Sequence, residues 1–470
     1  NNSISIDGPT NLAVSDNFKK RFEGYGWDYI SINGHNEKEI FKALKKVQKA
    51  KKPTVISCKT KIGYGSPNKS GKASSHGSPL GVDEIKLVRK ALNWKTKPFD
   101  IPNKILNEWR KIGQRGEILE KKWNKVLKRK KIKFNQTLKN NFTKVLKKEK
   151  ENAIKEPKSL ATRKCSEMTL NALTKQKNNL IGGSADLAGS NNTKTKNHKI
   201  IKPGDFTGDY IHYGVREHAM SGVMNGIALH SNLIPYGGTF LIFSDYCKPS
   251  IRLSALMKKR VIYVMTHDSI GLGEDGPTHQ PIEQLSGLRA IPNLNVFRPA
   301  DRIETIECWE HALKSSKTPS VLSLTRQNLN PVRKTYSNKN LCSLGAYEVL
   351  RTNKKINLTI LASGSEVNLA LEVSHKLAKD KIYSKVISMP CMELFELQSK
   401  SYKNKILEET KFKISIEAGS SDCWKKYVGD NGIAFGIDEF GKSAPYKDIY
   451  KYFGLESTNI KNITKKLLNK

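Results

Sequence analysis

Short apolar runs recur along the chain and alternate with longer amphipathic stretches. Val261–Met265 (VIYVM) reads as a strand buried on both faces. Leu180–Gly182, Asn295–Phe297 and Val321–Leu324 read as its neighbours, and Leu358–Ala362, Ser384–Ser388, Phe412–Ile416 and Ile433–Ile437 repeat the rhythm further on. Nearer the start, Pro53–Lys59 reads as a buried strand between helices over Glu37–Lys51 and Asp83–Leu92. Helices alternating with apolar strands predict mainly parallel sheets flanked by helices, so the expected fold class is α/β, in three consecutive units. Expected boundaries are 1–99, a Lys-rich helical connector over 100–157, then 158–335 and 336–470. Ile105, Trp109, Ile112, Ile118, Trp123 and Val126 recur at loose helical spacing in the connector, which predicts a helix lying on the surface.

No run of 18 apolar residues exists, which excludes a membrane span on the sequence pattern. The seven cysteines are odd in number, scattered and free of any CxxC pair, which argues for reduced thiols in a cytosol. The formal charge is +38. A nucleic-acid or anionic-membrane partner is one reading of that charge, and a general surface drift towards Lys and Asn is the other. Residues 101–160 hold 19 Lys/Arg against six Asp/Glu, and the rest of the excess is spread along the chain. No basic stripe is interleaved with aromatic residues as a stacking platform requires, so drift is preferred, with no nucleic-acid and no membrane partner.

Chemistry concentrates in a few segments. After the Val261–Met265 strand comes THDSIGLGEDGPTHQP (Thr266–Pro281), with two histidines, three carboxylates, three glycines and two prolines. Gly and Pro exclude regular structure there, and a loop at the carboxyl end of a strand is where α/β sheets bind ligands. YIHYGVREHAM (Tyr210–Met220) places Glu217 at an expected strand-to-helix junction, with Met220, Val223, Met224 and Ile227 as a packed face. A partly desolvated carboxylate suits proton transfer, and a capping residue on the helix dipole is the structural alternative. TFLIFSDY (Thr239–Tyr246) spaces Phe240, Phe243 and Tyr246 three apart, which predicts three rings on one side of a helical turn, serving as core or cofactor wall. GGSADLAGSN (Gly182–Asn191) offers Asp186, Ser190 and backbone amides to an anion or sugar hydroxyls. SHGSPLG (Ser75–Gly81) puts His76 in a loop, and Arg163 and Arg326 are isolated arginines able to clamp a phosphate or pair with a structural carboxylate.

Together with NNSISIDG, GYGSPNKSG, LTRQN and SIEAGSSDCWKKYVG, these motifs resemble transketolase in kind and order across essentially the whole chain. The resemblance implies a thiamine diphosphate enzyme with Mg²⁺, Ca²⁺ or another divalent cation. The units then read as the remainder of a diphosphate-binding domain, a basic connector, a pyrimidine-binding domain and a C-terminal transketolase domain. The implied reaction moves a two-carbon ketol unit from a ketose phosphate such as xylulose 5-phosphate to an aldose phosphate such as ribose 5-phosphate or erythrose 4-phosphate. It belongs to the non-oxidative pentose phosphate pathway and uses a carbanion at the cofactor's thiazolium C2. A dihydroxyacetone synthase-like transfer and an inactive remnant are the alternatives. The resemblance puts Glu217 on the aminopyrimidine N1′, with Phe240, Phe243 and Tyr246 as its pocket. It puts Arg163, Ser190, His267 and Arg326 on substrate phosphate, and Asp275 on the donor's hydroxyl stereochemistry. His279 and His76 fall on the reacting end, His76 also against the cofactor, while Asn2 and the Ile4 carbonyl fall on the metal.

The family's Gly-Asp-Gly metal motif precedes the residue matched by Asn2, and Ser3 stands where the family usually has Gly. Since the chain opens on Asn1 and NNSISIDG reads as a domain interior, an N-terminally truncated transketolase is expected. Such a chain would be cytoplasmic and homodimeric with its site at the subunit interface, with a separate polypeptide as a further source of the front half.

Overall fold

The computed structural model describes residues 1–130, 137–175, 179–352, 354–407 and 410–468. The chain forms two compact units, Asn1–Ile132 and Lys133–Lys470.

In the first unit a short hairpin pairs β1 (Ile4–Ser5) with β2 (Gly8–Pro9). After α1 (Phe18–Gly24), a β-α-β crossover runs through β3 (Asp28–Asn33), α2 (Glu37–Val47) and β4 (Thr54–Lys59), with β3 and β4 parallel. Asn36 caps α2 by accepting from the Lys38 and Glu39 N–H groups, and Glu39 reaches back to the Asn33 N–H at 2.7 Å. The Asn36 bonds satisfy two N–H groups the first helical turn would otherwise leave orphaned, and the Glu39 bond ties the helix to the end of β3. The loop before α3 (Val82–Ala91) is tied to it by Glu84, which accepts from the Ser66 hydroxyl and from the Asn68 backbone and side-chain amides at 2.9 Å. These bonds, led by that from Ser66, draw the Glu84 carboxyl down to about 2. Next, α4 (Asn103–Arg129) buries none of its side chains and leaves Trp109, Ile118 and Trp123 exposed.

The second half of the expected connector differs. Residues 131–136 lie outside the described residues. Beyond them α5 (Thr137–Lys155) belongs to the second unit and is not a surface helix. Leu146 and Ala153 enter its core with Phe142, Val145 and Ile154 packed alongside, and Lys150 is buried with its Nζ 2.7 Å from Glu307 Oε1. The lysine excess of this stretch masks an apolar stripe that covers a sheet.

That sheet is built from α6 (Thr162–Thr174), β5 (Leu180–Ser184), α7 (Ala188–Asn191), β6 (Tyr210–His212), α8 (Glu217–His230), β7 (Ile234–Phe240) and α9 (Ser244–Leu256). It continues through β8 (Ile262–Thr266), α10 (Gln284–Arg289), β9 (Asn295–Phe297), α11 (Arg302–Lys314) and β10 (Ser320–Leu324). Its six strands are all parallel, in the order β6-β5-β7-β8-β10-β9. Alternation along β8 sorts the faces: Ile262 and Val264 join the core with α5, α6 and α11, while Tyr263 and Met265 join that of α8, α9 and α10. Each such burial stabilises by roughly 1.5–3 kcal/mol.

Strand β7 carries Pro235, Gly237 and Gly238, which read as turn punctuation, yet all seven of its residues are buried. The glycines are there for close approach. A Cβ on Gly237 would lie 2.7 Å from Met224 Sδ, and one on Gly238 2.7 Å from Thr193 Cγ2. The face of α8 also departs from expectation. Its buried residues are Glu217, Met220, Ser221, Met224 and Asn225, while Val223 is exposed, because the stripe towards the sheet runs along the 217-220-224 line.

The second sheet follows from β11 (Tyr347–Arg351), β12 (Leu358–Ala362), α12 (Glu366–Lys379), β13 (Ser384–Ser388), α13 (Met392–Glu396) and α14 (Lys400–Leu407). It closes with β14 (Phe412–Ile416), α15 (Lys425–Val428), β15 (Ile433–Phe435), α16 (Tyr446–Tyr452) and α17 (Ser457–Leu468). The order is β11-β13-β12-β14-β15, with only the edge strand β11 antiparallel. The α/β class with mainly parallel sheets is thus as the pattern predicts. No helix among the described residues is long and apolar enough to cross a membrane, and all seven cysteines are free thiols.

Candidate active site

The carboxyl ends of β5, β7, β8 and β10 bring together most of the residues singled out in the second unit, as open parallel sheets tend to do. His267 follows β8 at φ +59° and is buried, its ring centroid 3.7 Å from that of Phe240. Behind it runs a polar chain. Asn191 Nδ2 donates to the Thr239 carbonyl at 2.9 Å and to Thr266 Oγ1 at 2.7 Å, and Asn191 Oδ1 accepts from Ser184 Oγ at 3.1 Å. The Thr266 hydroxyl, which accepts from Asn191, lies 2.8 Å from His267 Nδ1. With that hydroxyl as the donor, the neutral ring carries its proton on Nε2 and presents an Nε2–H donor. Burial first, then the charges of Arg163 and Arg326 and the His279 ring, push its imidazole down to about 3. It faces a ligand as a neutral donor, not as the cation a phosphate-binding histidine suggests.

The positive charge comes from two arginines. Arg163, at the start of α6, donates through Nη1 to the Ser190 carbonyl at 2.8 Å. Arg326, just past β10, donates to the Leu272 carbonyl at 3.0 Å. Burial and then Arg326 lower the pKa of Arg163. Among the described residues neither arginine meets a carboxylate, so two cations and a neutral N–H donor are held near each other without a counter-charge. An anion is what that arrangement lacks.

Beside it lie the aromatic residues. Phe240 and Phe243 stack with centroids 5.6 Å apart and planes 9° apart, and Tyr246 lies 5.8 Å from Phe243. They do not share a helical turn as their spacing predicts. Phe240 closes β7, Phe243 caps α9 and Tyr246 falls in its first turn, so a strand-to-helix turn gathers the rings. Tyr246 is 64% exposed. His279 sets its edge against Phe243 at 5.6 Å, its Nδ1 3.0 Å from Thr278 Oγ1, while Asp275 is exposed at the loop's tip. Glu217 is the first residue of α8, 7% exposed, and among the hydrogen bonds of the described residues its side chain meets only the Thr239 hydroxyl, Oε1 to Oγ1 at 3.4 Å. A buried carboxylate with one weak partner beside stacked rings fits a planar heteroaromatic group that carries a hydrogen-bonding nitrogen.

Asn2, Ile4 and His76 belong to the first unit. Asn2 Oδ1 accepts from the Ile4 N–H at 3.0 Å, and Ile4 lies in β1. Ser3 between them adopts φ +60°, a conformation glycine occupies more easily. Asn2 Oδ1 and the Ile4 carbonyl are hard oxygen donors of the kind Mg²⁺ or Ca²⁺ takes, which fits part of a shell that a diphosphate and water would complete. No group of three or more His, Cys, Asp or Glu among the described residues could hold a metal by itself. His76 is exposed, its N–H bonded to the Ala73 carbonyl at 2.8 Å.

Three supporting residues escaped the sequence reading. Asn191 links β5, β7 and β8 from the end of a motif in which Asp186 and Ser190 drew attention. Asp268, beside His267, accepts from Arg298 Nε at 2.9 Å, and the fully buried Arg298 also pairs with Glu366 and Glu417. Gln280, beside His279, is buried and bonds the Gly273 and Lys442 carbonyls. The available signal was polar residues inside otherwise apolar or Gly-rich stretches.

Comparison with known proteins matches this architecture domain by domain. Residues 1–150 match the transketolase thiamine diphosphate binding domain, 158–332 the transketolase pyrimidine binding domain, and 345–456 the transketolase-like C-terminal domain. Fold and site therefore define a thiamine diphosphate-binding α/β transferase. The chain is 45% identical to a transketolase of Sinorhizobium medicae, covering 98% of itself and 67% of that protein. It is 43% identical to the transketolase of Bacillus subtilis, covering 100% and 72%. Among solved structures, transketolase from Campylobacter jejuni superposes with a TM-score of 0.89 at 38% identity, over 99% of this chain and 71% of that one. A transketolase complex with sedoheptulose 7-phosphate from Pichia stipitis gives 0.90 at 35% identity, over 100% and 71%. The chain belongs to the transketolase family. The match to the diphosphate-binding domain begins at residue 1, and the chain spans about 67–72% of the length of these relatives.

Proposed function

We propose that the chain transfers a two-carbon ketol unit from a ketose phosphate such as xylulose 5-phosphate to an aldose phosphate such as ribose 5-phosphate or erythrose 4-phosphate. The observation that carries this reading is the Arg163–Arg326–His267 anion site beside the Glu217–Phe240–Phe243 pocket. Thiamine diphosphate, when bound, would supply the carbon nucleophile, and Asn2 and the Ile4 carbonyl would hold the divalent cation that goes with it. Glu217 shares a proton with the aminopyrimidine N1′, and its burial against Thr239 keeps water from competing for that proton. Phe240, Phe243 and Tyr246 wall the ring.

Arg163 and Arg326 clamp the substrate phosphate, His267 adds one neutral N–H, and the Ser190 carbonyl aims Arg163. Asp275 reads the donor's hydroxyl configuration, while His279 orients the carbonyl and stabilises the oxyanion that develops there. The same anion site would hold the phosphate of a ketose phosphate donor in a dihydroxyacetone synthase-like transfer, which stays the alternative reading. Exposed Val223, Leu229, Tyr246, Leu253 and Leu256 on α8 and α9 support a homodimer, its site completed by the second copy.

Glu217→Gln keeps the shape and removes the shared proton. With saturating cofactor and Mg²⁺, its ketol transfer is expected to fall about 100-fold or more while cofactor binding persists. Full turnover in this variant would refute the role of Glu217.

A further inference from the structure

The substrate loop is held from outside by a part of the chain with no role in the reading above. Gln280, 1% exposed, donates both side-chain N–H bonds to carbonyls: Gly273 within the loop and Lys442 beyond β15, each at 2.8 Å. The first bond closes residues 273–280 into a ring, and the second ties that ring to the C-terminal domain. Ser443 Oγ donates to the Glu274 carbonyl at 2.6 Å. That carbonyl belongs to the peptide group whose N–H is that of Asp275, so Ser443 sets the plane from which the Asp275 side chain departs. Asp275 is exposed, and none of its side-chain oxygens has a protein partner among the hydrogen bonds of the described residues. The direction of its carboxylate is therefore decided by the backbone beneath it.

Gly441 completes the contact. A Cβ there would lie 1.7 Å from Gln280 Oε1, so the Gln280 amide occupies the place of the missing side chain. Gly441 is not among the residues at positive φ, so its backbone would accept an L residue and only the space is lacking. Lys442 anchors the segment in turn, its Nζ 5.5 Å above the Tyr452 ring on α16.

We infer that Gly441–Ser443 is a positioning clip: with Gln280, the C-terminal domain fixes the Gly273–Gln280 ring and thereby sets how strictly Asp275 discriminates donor hydroxyl configuration. The inference rests on the proposed role of Asp275. A loop carrying a specificity residue needs support of this kind, because a displacement of about an ångström is enough to blur discrimination.

The test uses the cofactor-loaded full chain in three variants, Ser443→Ala, Gly441→Ala and Asp275→Ala. Two quantities are read: hydrogen exchange of the peptide spanning residues 273–280, and the ratio of kcat/KM for xylulose 5-phosphate to that for its C3 epimer. Ser443→Ala is expected to speed exchange in that peptide about 3–10-fold and to lower the ratio by a similar factor. Its kcat on xylulose 5-phosphate should hold, and Ser443→Thr should restore the ratio. Gly441→Ala should act in the same direction and more strongly. Unchanged exchange in both clip variants would overturn the inference, and so would faster exchange with an unchanged ratio, which would leave the clip a packing contact. Asp275→Ala separates the parent reading. If it leaves the ratio intact, the role of Asp275 falls, and the specificity part of this inference falls with it. If it collapses the ratio while the clip variants do not, only the clip is refuted.

Discussion

Two pairs of arginines sit within one unit and live by opposite rules. Arg289 and Arg298 are buried and surrounded by carboxylates. Arg289 holds Glu417 through two bonds of 2.7 and 2.8 Å, and Arg298 contacts Asp268, Glu366 and Glu417. Burial would lower the pKa of Arg298, but Glu366, Asp268 and Glu417 outweigh it and raise the value. Arg163 and Arg326 meet only backbone carbonyls, and burial and mutual repulsion lower the pKa of Arg163. The residue type is the same in both pairs. What differs is whether the fold supplies the counter-charge, and where it does not, a ligand has to. The first pair joins Asp268 of the loop after β8 to Ser363, Glu366 and Glu417 at the ends of β12 and β14, and so builds scaffold. The second pair builds a site.

Breaking the scaffold pair should have the largest effect. Arg298→Met leaves Asp268, Glu366 and Glu417 without their shared cation, and removing one partner of a buried pair typically costs about 3–5 kcal/mol. Urea or thermal unfolding should register that loss. A cost below about 1 kcal/mol would show that the carboxylates neutralise by protonation and that the network is not a scaffold.

Little of that network was legible in the sequence. Arg298 pairs across 30 residues with Asp268 and across 68 with Glu366, and no local pattern encodes a partner so distant. Local apolar runs were legible: Leu358–Ala362, Ser384–Ser388 and Phe412–Ile416 are strands over the expected residues, since an apolar run bounded by polar turns has few other places to go. Strand β7 was hidden because its glycines answer to Met224 and Thr193, which lie elsewhere in the chain. The burial of helix α5 was hidden by lysines, one of which, Lys150, is buried against Glu307. At the site, the loop after β8 stood out for its density of ionisable groups. The neutral state of His267 did not, because it depends on burial and on Arg163 and Arg326, which lie far away in the chain.

The site pair should respond in the other direction. Arg163→Ala removes a cation that repels Arg326, so stability should stay within about 0.5 kcal/mol of the parent or rise. Its kcat/KM on phosphorylated donors should fall about 10–150-fold, the worth of a charge-assisted bond of about 1.5–3 kcal/mol. A ketose lacking the phosphate should lose little. If both donors suffer equally, Arg163 is scaffold after all and the contrast between the pairs collapses.

The smallest effect, and the sharpest probe of the contrast, is the titration of His267. Its folded value of about 3 lies below the ordinary 6.5, so as pH falls the unfolded chain takes up this proton first. The group's contribution to stability is then present in full above 6.5 and drains away as pH falls towards 3. Nitrogen chemical shifts of the ring at pH 5, without phosphorylated substrate, should report a neutral imidazole protonated at Nε2. Burial is the leading cause and the two arginines come next, so Arg326→Met should move the value only part of the way back towards 6.5. A phosphate dianion added to the parent should raise it by the same logic, because the anion cancels the field of both arginines. A native His267 that titrates near 6.5 in the absence of ligand would mean that the arginines do not act on it. The site pair would then be screened like any surface pair, and the fold would not be holding charge in wait for an anion.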